Sequence, residues 1–297
     1  MRHLPGMALM LTLLLLTAGG SALADNNSGT SAEGADGGTF ESPLPKKVQE
    51  DLGDIRPAQT AGFFSYFNWQ ATVNGQYTSN PSLYHNHSDG DFLIAPTLQG
   101  SFDAPLNKNF SVEAEARIED FTYTSNQELG FWGFSGDADL EYRYKPSWPR
   151  FYVGVEPYYY WSYDTGNLLT SAVGPVAGID QTVSINRGKT LLFAGYHFGQ
   201  YFSSPDIDTR QSHTVTLSLT QQLKRDYYAQ LYWQYQYSDY TVFGRDETRD
   251  IVGLSVIHQF TPHTFASLFV NYVDNASNNS LAKYESVNAG LSLVVQY

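Results

Sequence analysis

The chain has 297 residues, a formal net charge of −13, no cysteine, and 15% aromatic residues, mostly its 22 Tyr and 18 Phe. The acid excess excludes a nucleic-acid binder, which needs clustered Lys and Arg, and the lack of cysteine excludes disulfide stabilisation. Mean hydropathy is slightly negative and no long apolar run follows the first residues, which excludes a bundle of membrane helices but not membrane-crossing strands.

Residues 1–24 read as a signal peptide. Arg2 supplies the positive start, residues 8–16 form an apolar run too short to span a bilayer, and Ala22-Leu23-Ala24 is a small-residue cleavage site. With no cysteine after the apolar run, lipid anchoring is excluded. Residues 25–61 are rich in Asn, Ser, Gly, Thr, Asp and Pro and read as a flexible periplasmic segment. Within it Val48, Leu52 and Ile55 fall at helical spacing, so residues 46–55 could form a short helix, as a transient turn of a linker in the plainer reading or docked at the barrel mouth in the other.

Residues 62–297 follow a different rule: side chains alternate between apolar and polar from about Phe67 onward, the period of a β-strand. Short polar turns are expected at residues 104–109, 145–149, 186–189, 224–226 and 261–263, successive ones about 40 residues apart, the length of two spanning strands with their connections. Longer loops are expected at 80–90, 125–130, 164–171, 204–212, 238–249 and 274–284. Five turns and six loops join twelve strands, an even number that would place both termini on one side, the periplasmic one.

The alternation assigns side chains to faces. In the first strand Phe67, Trp69, Ala71, Val73 and Tyr77 should face out, and Asn68, Gln70, Thr72, Asn74 and Gln76 in. The third should send Val112, Ala114, Ala116 and Ile118 out and Glu113, Glu115, Arg117 and Glu119 in. The fourth should send Phe134, Ala138, Leu140, Tyr142 and Tyr144 out and Asp137, Asp139, Glu141 and Arg143 in. No charge then faces lipid in either strand, where one at the midplane costs about 2–4 kcal/mol.

One wall would therefore carry six carboxylates against Arg117 and Arg143, an arrangement that favours water in the interior over dry packing. A structural network bridged by basic residues is the alternative. The fifth strand adds Tyr152, Glu156, Tyr158 and Tyr160 to the inside, opposite Phe151, Val153, Val155, Tyr159 and Trp161. The ninth adds Tyr228, Gln230, Tyr232, Gln234 and Gln236, opposite Ala229, Leu231, Trp233 and Tyr235. Inward Tyr and Gln suit either stacking on a polar solute or filling the interior. Strands seven, ten and eleven alternate too weakly to place His197 or His258.

At the C-terminal end Ala289, Leu291, Leu293, Val295 and Tyr297 share one face, and Asn288, Gly290, Ser292 and Gln296 the other. This aromatic-terminated strand, the signal-like N-terminus and the recurring alternation together resemble bacterial outer-membrane β-barrel proteins as a superfamily, with no one family singled out. The resemblance implies an all-β, antiparallel up-and-down transmembrane barrel in the bacterial outer membrane, reached by export through the inner membrane. It also implies contact with outer-membrane lipids, and recognition of Leu291, Leu293, Val295 and Tyr297 by the barrel-assembly machinery.

Chemistry is sparsely signalled. Some twelve-stranded outer-membrane barrels are lipid hydrolases that resemble serine esterases in pairing a His and a Ser two residues apart. In Tyr84-His85-Asn86-His87-Ser88-Asp89-Gly90 the His adjoins the Ser, at an expected loop tip; Gln211-Ser212-His213 is similar. His85, His87, Asp89 and Asp91 could in principle share a divalent metal, but solvated loop residues are the plainer reading, and neither a metal nor a cofactor is assigned. The expectation is a porin-like channel for small polar solutes, preferring cations through its acidic wall. The alternatives are a closed structural or partner-binding barrel and, behind it, a hydrolase. Oligomeric state is not written in any motif.

Overall fold

A computed structural model describes residues 66–83, 90–145, 147–186, 189–242 and 244–297. The expected signal peptide, the flexible segment with its helix, and the His85–Ser88 motif lie outside these residues. Twelve strands follow one another: β1 (Phe67–Thr78), β2 (Asp91–Pro105), β3 (Phe110–Tyr123), β4 (Phe131–Tyr142), β5 (Arg150–Ser162), β6 (Leu168–Ile185), β7 (Thr190–Ser204), β8 (Arg210–Lys224), β9 (Tyr227–Tyr240), β10 (Arg245–Thr261), β11 (Thr264–Ser277) and β12 (Tyr284–Gln296). Each pairs antiparallel with its sequence neighbours, and β1 pairs with β12, so the sheet closes on itself. Closure continues one residue past β12, where Trp69 N–H donates to the Tyr297 carbonyl at 2.7 Å and Tyr297 N–H donates back to the Trp69 carbonyl at 2.8 Å. Such a ladder leaves no edge strand, which is what hydrocarbon requires of a spanning sheet.

The five turns at one end fall where the alternation breaks, and two of them show why. Asn186 and Asp226 adopt φ of 53° and 65°, left-handed conformations that their short polar side chains tolerate. At the loop end the strands outrun the expectation. β9 continues to Tyr240, β10 starts at Arg245 and β11 runs to Ser277, with Arg245 opposite Tyr240 and Glu247 opposite Ser277. Pairing there needs only backbone hydrogen bonds, whereas the alternation signal needs an apolar neighbour on one face. Where both faces meet polar surroundings the signal vanishes while the ladder persists.

The outer face is apolar and exposed: Trp69, Val73, Leu98, Ile118, Val153, Leu231, Leu268 and Leu291 each leave about half or more of their surface uncovered. A continuous apolar band of this kind is untenable in water and is the expected surface toward lipid. Aromatics edge it at both ends. Toward the turns, Phe110 packs on Tyr142, Tyr227 stacks on His258 at 4.2 Å and His263 stacks on Tyr297. Toward the loops, Trp132 stacks on Trp161 at 4.5 Å and Tyr196 hydrogen-bonds His213. These are the interfacial positions where a ring with a polar tip is most at ease. Leu291, Leu293 and Tyr297 lie on this exposed face, as the alternation requires.

The inner face is mixed rather than uniformly polar. Leu191, Tyr228, Ile257, Phe265 and Val294 pack together toward the turns, and Leu93, Ala95, Phe121, Phe131 and Tyr160 toward the loops. These clusters explain the weak alternation of β7, β10 and β11, which carry apolar residues on both faces. The structure resolves them: odd-numbered residues of all three face inward, placing His197 inside and His258 outside.

Leu268, 64% exposed on the outer face of β11, tests the lipid-facing assignment. Leu268→Arg should lower the unfolding free energy in lipid vesicles by about 2–4 kcal/mol, read from denaturant titrations against the parent chain.

Candidate functional site

The inward charges sort by strand. The β3–β4 register sets Glu113 opposite Asp139, Glu115 opposite Asp137 and Ser111 opposite Glu141. On the other side of β3, Asp103 of β2 lies opposite Glu113, so three carboxylates stand in one cross-strand row. Like charges directly opposite one another destabilise a sheet, and the fold answers with a cation that the sequence reading overlooked.

Arg150, at the start of β5, bridges four strands. Its Nε and Nη2 donate to Asp180 Oδ2 of β6 at 2.7 and 2.5 Å, and its Nη1 donates to Glu113 Oε2 of β3 at 3.2 Å and to Glu141 of β4. Its guanidinium also lies over the Tyr152 ring, 5.0 Å from the centroid. A planar fork that reaches several carboxylates at once is the particular capacity of arginine. The sequence reading assigned Arg150, just past the expected turn at 145–149, to no face, although it shares parity with inward Tyr152.

Arg117 does face inward, with its Nη2 2.8 Å from Glu115 Oε1. Arg143 does not serve as expected. It lies beyond the end of β4, its backbone N–H donates to Asn109, and its side chain joins no ion pair among the described residues. Glu119 accepts from Ser135 Oγ at 3.0 Å and from the Tyr160 hydroxyl at 3.2 Å. Asp137 and Asp139 hold the inward places assigned to them, Asp139 beside Gly154, where any Cβ would collide with its carboxylate.

The inward tyrosines follow a repeated device. Tyr160 lies beside Gly133, which lies beside Glu119, and the Tyr160 hydroxyl crosses the bare glycine to reach that carboxylate. Tyr152 crosses Gly178 to His197 Nδ1 at 3.0 Å. Tyr201 crosses Gly174, the register partner of Glu156, and donates to Glu156 Oε2 at 2.5 Å. Tyr232 crosses Gly253 to Asn271. At Gly133, Gly178 and Gly253 an added Cβ would run into the tyrosine ring. Each tyrosine thus spans an entire strand, and glycine is what leaves the passage open.

His197 joins two of these bridges. Its Nε2 stands 3.3 Å from the Tyr201 hydroxyl and 3.6 Å from Glu156 Oε1. Glu156 and His197 keep 31% and 24% of their side-chain surfaces open, although both face the interior. In contrast, Thr220, Gln230 and Ser255 are fully covered, and Tyr228 belongs to the apolar cluster toward the turns. Gln234 faces inward on β9, opposite Ile251.

Toward the loops, a basic group appears that the sequence reading had assigned to loops. Arg210 donates to the Tyr158 hydroxyl at 3.1 Å and lies 5.1 Å from the Tyr201 ring centroid; Arg245 lies 3.7 Å over the Tyr240 ring. Arg249 donates to Gln236, and Arg245 Nε is 3.1 Å from Glu247 Oε1. Extending the period of two through β8 would have put Arg210 inside, whereas the face of Arg245 and Arg249 on β10 is decided only by the structure. The remaining wall, on β11, β12 and β1, is uncharged. Asn271 and Asn288 are joined at 2.8 Å, Thr78 and Ser286 at 3.2 Å, and Thr72, Asn74 and Gln76 line the inside.

The Ser212–His213 pair cannot act as a unit. Adjacent on β8, the two side chains point to opposite faces: Ser212 Oγ accepts from Gln236 inside, while His213 meets Tyr196 outside.

No family model matches the chain, and no curated protein matches it in sequence. Among solved structures, an outer-membrane channel from Pseudomonas putida F1 is similar with a TM-score of 0.54 at 12% identity, over 82% of this chain and 98% of that one. The NanC porin gives 0.44 at 11% identity, covering 76% and 98%. The translocator domain of the autotransporter NalP from Neisseria meningitidis gives 0.44 at 14%, covering 85% and 93%. At these identities the likeness is one of fold, that of the bacterial outer-membrane β-barrels.

Two substitutions test the interior. Arg150→Gln leaves Glu113, Glu141 and Asp180 without their shared cation and should cost about 3–5 kcal/mol; Arg150→Lys, keeping charge but not the fork, should cost less. Gly178→Val should displace Tyr152 and cost about 1–3 kcal/mol. Thermal unfolding in detergent micelles measures both.

Proposed function

We propose that this chain is an outer-membrane channel for passive diffusion of small hydrophilic solutes, with both termini periplasmic and a preference for cations. The observation that carries the reading is the open surface of Glu156 and His197 inside a barrel whose outside is apolar. Charged groups left partly uncovered on an inner wall call for water around them. The inward carboxylates of β2 to β6, Asp103, Glu113, Glu115, Glu119, Asp137, Asp139, Glu141, Glu156 and Asp180, outnumber Arg117 and Arg150 on the same side, which favours cations along that wall. The apolar cluster toward the turns belongs to β7 and β9 to β12 and the one toward the loops to β2 to β5, so at the turn end the path for solutes follows β3 to β6. Lipids meet the apolar band, and the assembly machinery reads the outward face of β12.

A second reading, a closed structural or partner-binding barrel, draws on the complete burial of Thr220, Gln230 and Ser255. A hydrolase at Ser212 and His213 gains nothing from their opposed orientation. Planar-bilayer recording of the refolded chain under a salt gradient separates the readings. Steady conductance with a cation-selective reversal potential is expected. Replacing Glu113, Glu115, Asp137 and Asp139 by their amides should lower that selectivity several-fold. An anion-selective current would sink the cation preference, and a correctly folded barrel without conductance would establish the closed role.

A further inference from the structure

The lipid-facing surface ends differently at its two rims. At the turn end the cations gather in two groups, each fixed by hydrogen bonds between neighbouring turns. Asn109 Nδ2 donates to the carbonyls of Arg143 and Tyr144 at 2.9 and 3.0 Å, which holds Lys108, Arg143 and Lys145 on adjoining turns. Gln222 N–H donates to the Lys189 carbonyl at 2.7 Å, which brings Lys189 into the same region as Lys224 and Arg225. Among the described residues of these turns, Asp226 is the one carboxylate. It lies 3.7 Å from Arg225 Nε, but the Arg225 side chain is 94% exposed, so water screens the pair.

Both groups border the aromatic edge of the apolar band. Lys145 Nζ is 5.1 Å from the ring centroid of Tyr144, which packs edge-on against Trp148 at 5.2 Å. Lys224 Nζ is 4.0 Å from the ring centroid of Tyr227, which also stacks on His258 of the outer face. Around them Tyr144, Trp148, Leu223 and Phe260 each leave about half or more of their surface uncovered. At the loop end the same outer surface turns acidic. Asp250 lies opposite Asp274, and Asp274 opposite Glu285, on the face that Val252, Val270 and Val287 present to lipid. Trp233 Nε1 donates to Asp250 at 3.1 Å and the Tyr237 hydroxyl to Asp246 at 3.0 Å. Lys283 is the cation that adjoins this row in the chain.

We infer that the turn rim is a binding surface for anionic phospholipid headgroups, with Lys108 and Lys145 at one place on it and Lys189, Lys224 and Arg225 at another. The surface is continuous with the lipid-facing band, so acyl chains that cover Leu223, Tyr144 and Phe260 set their headgroups at the height of these turns. A lysine whose stem lies on an exposed ring keeps its ammonium in that headgroup layer. Each Lys or Arg near an anionic bilayer surface favours contact by about fivefold. The carboxylate row repels the same lipids from the loop rim, so the preference belongs to one end of the barrel. It holds for an open barrel and for a closed one. With the turns periplasmic, as proposed above, these lipids are those of the inner leaflet; the test in vesicles does not depend on that orientation.

The test reads lipid enrichment at each rim through tryptophan fluorescence. The full chain is refolded into phosphatidylcholine vesicles containing a fixed minor fraction of brominated phosphatidylglycerol or, in parallel, of brominated phosphatidylcholine. The quenching lost on Trp148→Phe belongs to the turn rim, and the quenching lost on Trp161→Phe to the loop rim. At low salt the phosphatidylglycerol is expected to be enriched about fivefold over phosphatidylcholine at Trp148, with no enrichment at Trp161. Lys108→Gln combined with Lys145→Gln, both exposed, should cut the ratio at Trp148 to roughly half or less, whereas Lys145→Arg should keep it. Salt at about 1 M, where the Debye length falls to about 3 Å, should bring it toward one. Circular dichroism confirms the fold of each variant. Equal quenching by the two lipids at Trp148, the same preference at Trp161, or a ratio that survives neutralisation of the lysines overturns the inference.

Discussion

Everything in this molecule depends on the backbone ladder being closed. In hydrocarbon an unpaired N–H or C=O has no water to turn to, so the last strand must meet the first, and here it does so from Gln70–Gln296 to Thr78–Asn288. Once the sheet is closed, the pleat gives each strand an inner and an outer face with nothing between. Every side chain is committed either to lipid or to the interior, and that commitment makes the outer band apolar and concentrates the charges and hydroxyls inside.

The interior then has to be held together by side chains that reach across strands. Arg150 does this for the acidic wall, gathering carboxylates from β3, β4 and β6 that would otherwise repel one another. The tyrosines do it elsewhere by passing over inward glycines, as Tyr160 does over Gly133 and Tyr232 over Gly253. The two devices complement each other. A guanidinium brings charge and several donors to a crowded acidic patch, and a phenol brings one donor and a flat surface to a place where the wall has been thinned. Neither leaves a uniform aqueous cylinder. The apolar cluster of Leu191, Tyr228, Ile257, Phe265 and Val294 on the opposite side makes the turn end of the interior lopsided, apolar on one flank and charged on the other.

Charge also changes sign from one end of the interior to the other. Toward the turns β3 to β6 are acidic around Arg150; toward the loops β8 and β10 bring Arg210 against Tyr158 and Tyr201, Arg245 over Tyr240 and Arg249 against Gln236. Cation–π contact of this sort is attractive and holds a guanidinium against the ring.

The sequence by itself determined the strand count, the face of nearly every residue in β1, β3, β4, β5 and β9, and the pairing of the acidic strands β3 and β4. These follow from a period of two and from the order of the turns, and both are local properties. It missed Arg150, the first residue after an expected turn, because a lone strand-end residue shows no alternation of its own. It placed Arg210, Arg245 and Arg249 in loops, because strands that run beyond the apolar band lose the contrast that reveals them. It left β7, β10 and β11 undecided, because apolar residues on both faces erase the alternation. Only the tertiary structure decided which glycine stands between which tyrosine and its partner, and which acids a single arginine gathers. Those contacts join residues one or two strands apart, and their registers are set by pairing across the sheet, which no stretch of sequence encodes alone.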